Sequence, residues 1–162
     1  MANVAVAGAP FGEIPKLDLE FVFQIRIYFE ERRRFETPLG TRVYIPVIRG
    51  DLSGPRLNGK VLPRSGGEYA ENHRINAHYM LETDDGTPIY IRNSGYVYRT
   101  DGIEMQLDNL PWRGEQPYYL RCTPQFDCPV GPHDWLTRTV LVGTGQRHVD
   151  PDFTVFTYYA VL

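Results

Sequence analysis

The run from Glu20 to Phe29, Glu-Phe-Val-Phe-Gln-Ile-Arg-Ile-Tyr-Phe, decides the fold class. Phe21, Phe23, Ile25, Ile27 and Phe29 fall on one face, with Val22, Gln24, Arg26 and Tyr28 on the other. A period of two held this long is a β-strand with one apolar side. The polar run Glu30 to Arg34 that follows reads as a solvated loop and is assigned no site.

The same grammar repeats along the chain. Arg42 to Arg49 is apolar on both faces, and Pro46 inside it predicts an edge strand or a bulge. Ala77 to Thr83 and Thr87 to Arg92 flank Asp84-Asp85-Gly86, a hairpin signal. Asn93-Ser94-Gly95 then separates Tyr96 to Arg99 as a further strand. Asp101 and Glu104 are spaced as a capping box before Ile103, Leu107 and Leu110, which predicts one short helix ended by Pro111. Tyr118 to Thr123, Trp135 to Val142 and Phe153 to Val161 complete the set of strands. Eight to ten strands with one short helix and no linker predict an all-β fold, a single closed antiparallel barrel, because closure removes exposed edges. The barrel domain is expected to take in residues 1–162, the first 19 forming an irregular arm.

Composition narrows the chemistry. With 162 residues, 42% hydrophobic and 23% charged, the chain suits one domain with one core, and 15 Gly and 13 Pro supply the reversals between strands. A net charge of -3 offers no field to attract nucleic acid. No apolar run reaches the ~20 residues of a membrane span, and Met1 to Pro15 lacks the positive start of a signal peptide, so a cytoplasmic protein is expected. Only Lys16 and Lys60 are lysines, which disfavours Schiff-base chemistry. Cys122 and Cys128 are expected as free thiols. The four histidines lack metal-site spacing, so no metal is expected. Gly143-Thr144-Gly145-Gln146-Arg147-His148 misses the third glycine of a dinucleotide fingerprint, so no nucleotide cofactor is expected either. None of the three serines stands in a nucleophile elbow. Proton transfer by Asp, Glu, His, Tyr or Arg remains, as does binding alone.

Three residues are candidates for proton transfer and oxyanion stabilisation: Asp84, Arg121 and Tyr79. Asp84 stands at the hairpin, where it either bonds backbone amides or acts as an acid at the barrel mouth. Arg121 shares a face with Tyr119 and Thr123; turned inward, it either closes the barrel through an ion pair or holds a ligand oxyanion. Tyr79 shares the face of Ala77, Leu81 and Thr83, as a core tyrosine or one aimed at a ligand. Arg26, Tyr44, Thr83, Tyr119, Trp135 and Tyr158 are the candidate ligand-facing residues. Arg26 lines the lumen only if its face is inward, and Trp135 opens a strand as a stacking wall or a plug. His78, opposite Tyr79, is expected outside.

The order of motifs resembles a known family. Gly40-Thr41-Arg42, then Ile48-Arg49-Gly50-Asp51-Leu52-Ser53-Gly54-Pro55, Gly59-Lys60-Val61-Leu62-Pro63, Leu81-Glu82-Thr83-Asp84-Asp85-Gly86, Tyr119-Leu120-Arg121 and Trp135-Leu136 are similar to the family catalogued as domain of unknown function 3237, from about Phe21 onward. The resemblance implies a small calycin-like (lipocalin-like) barrel and a homo-oligomer, a dimer or tetramer. It also implies an activity seen in some fungal members, a cofactor-free cyclase in aromatic natural-product pathways. Asp51, Leu120 and Asp127 depart from that family's usual Gly, Phe and Glu. The function expected is a cyclase or isomerase working by acid–base catalysis on a small aromatic or polyketide-like molecule, including hydroxyl addition that closes an oxygen heterocycle. The alternative is a calycin-type carrier that holds a small hydrophobic ligand unchanged.

Overall fold

A computed structural model describes residues 11–71, 73–103, 118–149 and 151–162. Ten strands carry the fold: β1 (Leu19–Phe29), β2 (Arg33–Thr37), β3 (Gly40–Ser53), β4 (Gly59–Val61), β5 (Gly67–Ala70), β6 (Arg74–Thr83), β7 (Pro88–Arg99), β8 (Tyr118–Asp127), β9 (Leu141–Val149) and β10 (Asp152–Val161). They hydrogen-bond in the order β1-β10-β9-β8-β7-β6-β4-β3-β2, and β1 also pairs with β3, which closes the sheet on itself. The short strands β4 and β5 share one place in the wall, both lying between β3 and β6. The result is a closed eight-stave antiparallel barrel, with β2 a side hairpin on β3. Closure leaves no open edge in the wall, as the strand count predicts. Its seam joins the first strand to the last, Leu19 opposite Val161 and Tyr28 opposite Phe153.

The inward faces form one continuous core. Phe23, Ile25 and Ile27 of β1 meet Leu81 of β6, Ile89 and Ile91 of β7, and Phe156 and Tyr158 of β10, each at most 5% exposed. The apolar face of β1 is therefore the lumen side, with Gln24 and Arg26 outside. Phe21 departs from that face: a bulge between Phe21 and Phe23 turns it outward, where its ring meets Tyr159 edge-on.

Several boundaries differ from those predicted: β2 begins at Arg33, inside the run read as a loop, and β3 runs on to Ser53, past the predicted end at Arg49. The segments Thr87 to Arg92 and Tyr96 to Arg99 are one strand, β7, because Asn93, Ser94 and Gly95 stay in register with Pro124, Thr123 and Cys122. Gly95 serves close approach rather than a turn, since a Cβ there would lie 2.1 Å from the Arg121 carbonyl oxygen. Trp135 opens no strand; it sits in a 3-10 turn, Asp134–Thr137, that seals one end of the barrel with Leu136. The Asp84-Asp85-Gly86 hairpin is present, with Gly86 at a φ of 83°. The helix predicted from Asp101 to Leu110 lies outside the described residues beyond Ile103.

Candidate functional site

Alternation assigns each candidate to a side of the wall. Tyr79 and Tyr158 point into the lumen, 1% and 0% exposed. Thr83 also points inward, at the hairpin end, and its hydroxyl donates to the Asp85 carboxylate. Asp85, not Asp84, is the residue that organises this turn: it also accepts from the Thr87 amide at 3.1 Å and pairs with His133 at 2.9 Å. Hydrogen bonds from Thr83, Thr87 and His133 hold its carboxyl well below the usual carboxylate range. Asp84 is exposed.

Arg121 faces outward, which corrects the inward orientation considered for it. Its Nη1 donates to the Leu120 carbonyl at 2.8 Å, and its guanidinium lies 4.9 Å from the Tyr119 ring centroid. Tyr119 stacks on Tyr98, also outside. Arg26 is outside as well, bonded through Nε and Nη2 to Asp51 at 3.1 and 2.8 Å, and Tyr44 is exposed on the outer face of β3. Trp135, at the sealed end, carries the Arg56 guanidinium 3.8 Å from its ring centroid. The barrel wall thus separates Tyr79 from Arg121. His78 is outside, between Tyr90 and Asn76.

The inward polar groups that do converge are mostly others. Glu68 on β5 is opposite Ala77 of β6, and Ala77 is opposite Asn93 of β7, so only a methyl group separates Glu68 from Asn93 across three strands. One layer on, Cys122 is opposite Gly143, and Gly143 is opposite Tyr158. The Tyr79 and Tyr158 hydroxyls and the Cys122 thiol draw together here, yet neither hydroxyl makes a hydrogen bond of normal geometry, nor does the Asn93 side chain. Buried polar atoms of this kind are costly and uncommon in native interiors. Burial pushes both tyrosines far up and Cys122 to about 12, so all three stay protonated near neutrality.

Glu68 behaves differently. Solvent reaches part of the residue, but its carboxyl is desolvated, and burial raises it to about 7 against the opposing pull of Arg32. Arg32 belongs to the run read as a solvated loop, but its side chain is largely buried and its Nη1 pairs with Asp152 at 2.9 Å. The other carboxylate oxygen of Asp152 takes Arg147, whose Nη1 also meets the Thr154 hydroxyl at 3.2 Å. The Arg147 guanidinium lies 5.3 Å from the Phe29 ring centroid, and its backbone amide donates to the Tyr118 hydroxyl at 2.8 Å. One end of the barrel therefore holds two arginines bridged by one carboxylate, with a second carboxyl deeper in that titrates near neutrality. Asp84 lies at the other end, seven residues along β6 from the partner of Glu68, roughly 23 Å of extended chain.

Glu68, Arg32, Arg147 and Asp152 escaped the sequence reading. One signal was available for Arg147: it continues the inward face of Gly143 and Gly145 on β9. Among the described residues, no three His, Cys, Asp or Glu side chains gather as a metal site. The arrangement is suited to moving a proton at Glu68 beside positive charge and aromatic rings.

The comparisons with known proteins agree on the fold. The family model described as "Protein of unknown function (DUF3237)" matches residues 17–161. A protein of Rhodopseudomonas palustris described as a UPF0311 protein is 28% identical over 142 residues, covering 84% of this chain and 92% of its own. A β-barrel-like protein of Acinetobacter baumannii superposes with a TM-score of 0.78 at 25% identity, over 93% of this chain and 99% of its own. A Penicillium herquei protein described as an enzyme shares the fold with a TM-score of 0.67 at 19% identity, again over 93% and 99%.

Proposed function

The chain belongs to the DUF3237 family of proteins of unknown function, and from that footing we propose that it is a cofactor-independent acid–base catalyst, a cyclase or isomerase, acting on a small aromatic or polyketide-like molecule at the polar end of its barrel. One observation carries the reading: Glu68, an inward carboxyl that keeps its proton to about pH 7, stands among neutral buried polar groups and within the field of Arg32. Enzymes place a general acid near their working pH by the same combination of desolvation and neighbouring charge. A fold shared with an enzyme of Penicillium herquei is compatible with catalysis in such a barrel.

In the proposed cycle Glu68 gives its proton to one carbon of a substrate alkene. A hydroxyl of the same molecule adds to the other carbon, and the hydroxyl proton returns to the Glu68 carboxylate. One C–H and one C–O bond form, one O–H and one C=C π bond are lost, and the molecule is isomerised with no oxidant or reductant. Arg32 would steady the transient carboxylate, and Asp152 with Arg147 would hold Arg32 in place. The aromatic rings would restrict the substrate to a reactive conformer.

Candidate intermediates incubated with the protein and resolved by liquid chromatography–mass spectrometry test the reading. The expected product has unchanged mass and altered retention. Glu68→Gln should slow its formation by at least about 100-fold, and the wild-type rate should fall as pH rises through about 7. Full turnover by E68Q would remove Glu68 from the mechanism. Recovery of a bound ligand unchanged would make the protein a carrier.

A further inference from the structure

The outer wall carries a second constellation, independent of the lumen. A groove of about 710 Å³ runs over the outside of β6 to β9, with Arg74, Tyr96, Tyr119, Arg121 and Thr144 among its lining. Strand register explains the grouping. Arg74 is opposite Tyr96, Tyr96 opposite Arg121, and Arg121 opposite Thr144, so four outward side chains form one row across four strands. The next row is Asn76, Ser94 and Thr123, all polar and uncharged.

The groove carries two guanidinium groups, those of Arg74 and Arg121, that no described carboxylate pairs with. Glu71, the carboxylate in the lining, is already engaged with Arg42 at 3.3 Å. Both guanidinium groups lie near tyrosine rings, Arg74 at 5.7 Å from the Tyr96 centroid and Arg121 at 4.9 Å from that of Tyr119. Rings beside guanidinium forks offer a planar anion two complementary surfaces, a face to pack on and paired N–H donors for its oxygens. On a chain of net charge -3 the feature is local, since the molecule as a whole does not attract anions.

We propose that this groove is a binding site for an aromatic carboxylate. The ligand's ring packs against Tyr96 and Tyr119, and its carboxylate takes N–H donors from Arg74 and Arg121. The hydroxyls of Ser94, Thr123 and Thr144 supply further donors, and the volume accommodates a ligand of two or three fused rings. Substrate turnover plays no part in it.

Titration of the ¹⁵N-labelled full chain with 2-naphthoate, followed by amide shifts, tests the assignment. Saturable shifts are expected at Ser94, Tyr96, Arg121 and Thr144. The Arg74→Gln/Arg121→Gln double variant should weaken binding by about 10-fold or more, the scale of a lost charge-assisted bond. The uncharged 2-naphthamide should bind wild type and double variant alike. Arg121→Lys, which keeps the charge and loses the fork, should recover only part of the affinity. Shifts confined to lumen residues, or equal affinity of wild type and double variant for 2-naphthoate, would overturn the proposal. Sedimentation showing that copies of the chain cover the groove and shut out the probe would overturn it too.

Discussion

Glu68 links chemistry to stability. Its carboxyl keeps a proton to about pH 7 in the folded barrel, against 4.5 when unfolded. Between those values the folded state binds more protons, so stability falls as pH rises through the window and stays reduced above it. The full loss is on the order of 3 kcal/mol at most. Glu68→Gln should abolish it: urea midpoints of the variant should exceed those of wild type at about pH 8 and match them at about pH 5. A variant less stable at both values would show that the carboxyl is not strained by burial. At this scale the site was half legible. Tyr79 and Tyr158 follow from alternation within long strands. Glu68 lies in a strand of four residues between Gly66 and Glu71, too short for its own pattern to reveal an inward face. Arg32 looked solvated because charge runs usually are; its burial depends on Asp152, distant in sequence.

Among the elements, β8 and β9 form a short joint between two long strands. Among the described residues they pair only at Arg121 with Thr144 and Cys122 with Gly143. On one side of those pairs Leu120 packs where a Gly145 side chain would be, and the Tyr118 hydroxyl replaces the ladder by capping the Arg147 amide. Gly143 is confined as well, since a Cβ there would lie 2.7 Å from both the Cys122 Sγ and the Tyr158 ring. Gly143→Ala should therefore cost about 1–3 kcal/mol, read as a lower denaturant midpoint at unchanged slope. A neutral effect would mean that the Tyr158 ring moves freely. The elements themselves were largely readable, because alternation and the Asp-Gly turn are local signals. The merged strand β7 and the turn at Trp135 were not, since Gly95 is fixed by contact with β8, and the turn by what it covers.

At the scale of the molecule, closure can be measured through its two free cysteines. Cys122 is buried in the lumen with its thiol raised to about 12, whereas Cys128 is partly exposed near the sealed end. Iodoacetamide should label Cys128 first and reach Cys122 only as fast as the barrel opens. Equal rates in the native protein would show a lumen open to reagent. The all-β class and the closed barrel were legible from strand number and spacing, while the pairing order was not, because β1 meets both β3 and β10. That seam has a consequence during synthesis. The first strand cannot find its second neighbour until β10, more than a hundred residues later, has left the ribosome. Until then every nascent chain carries an unpaired apolar ribbon at each end of its growing sheet. Its exposure to aggregation is set by the pace of translation as well as by the stability of the finished barrel.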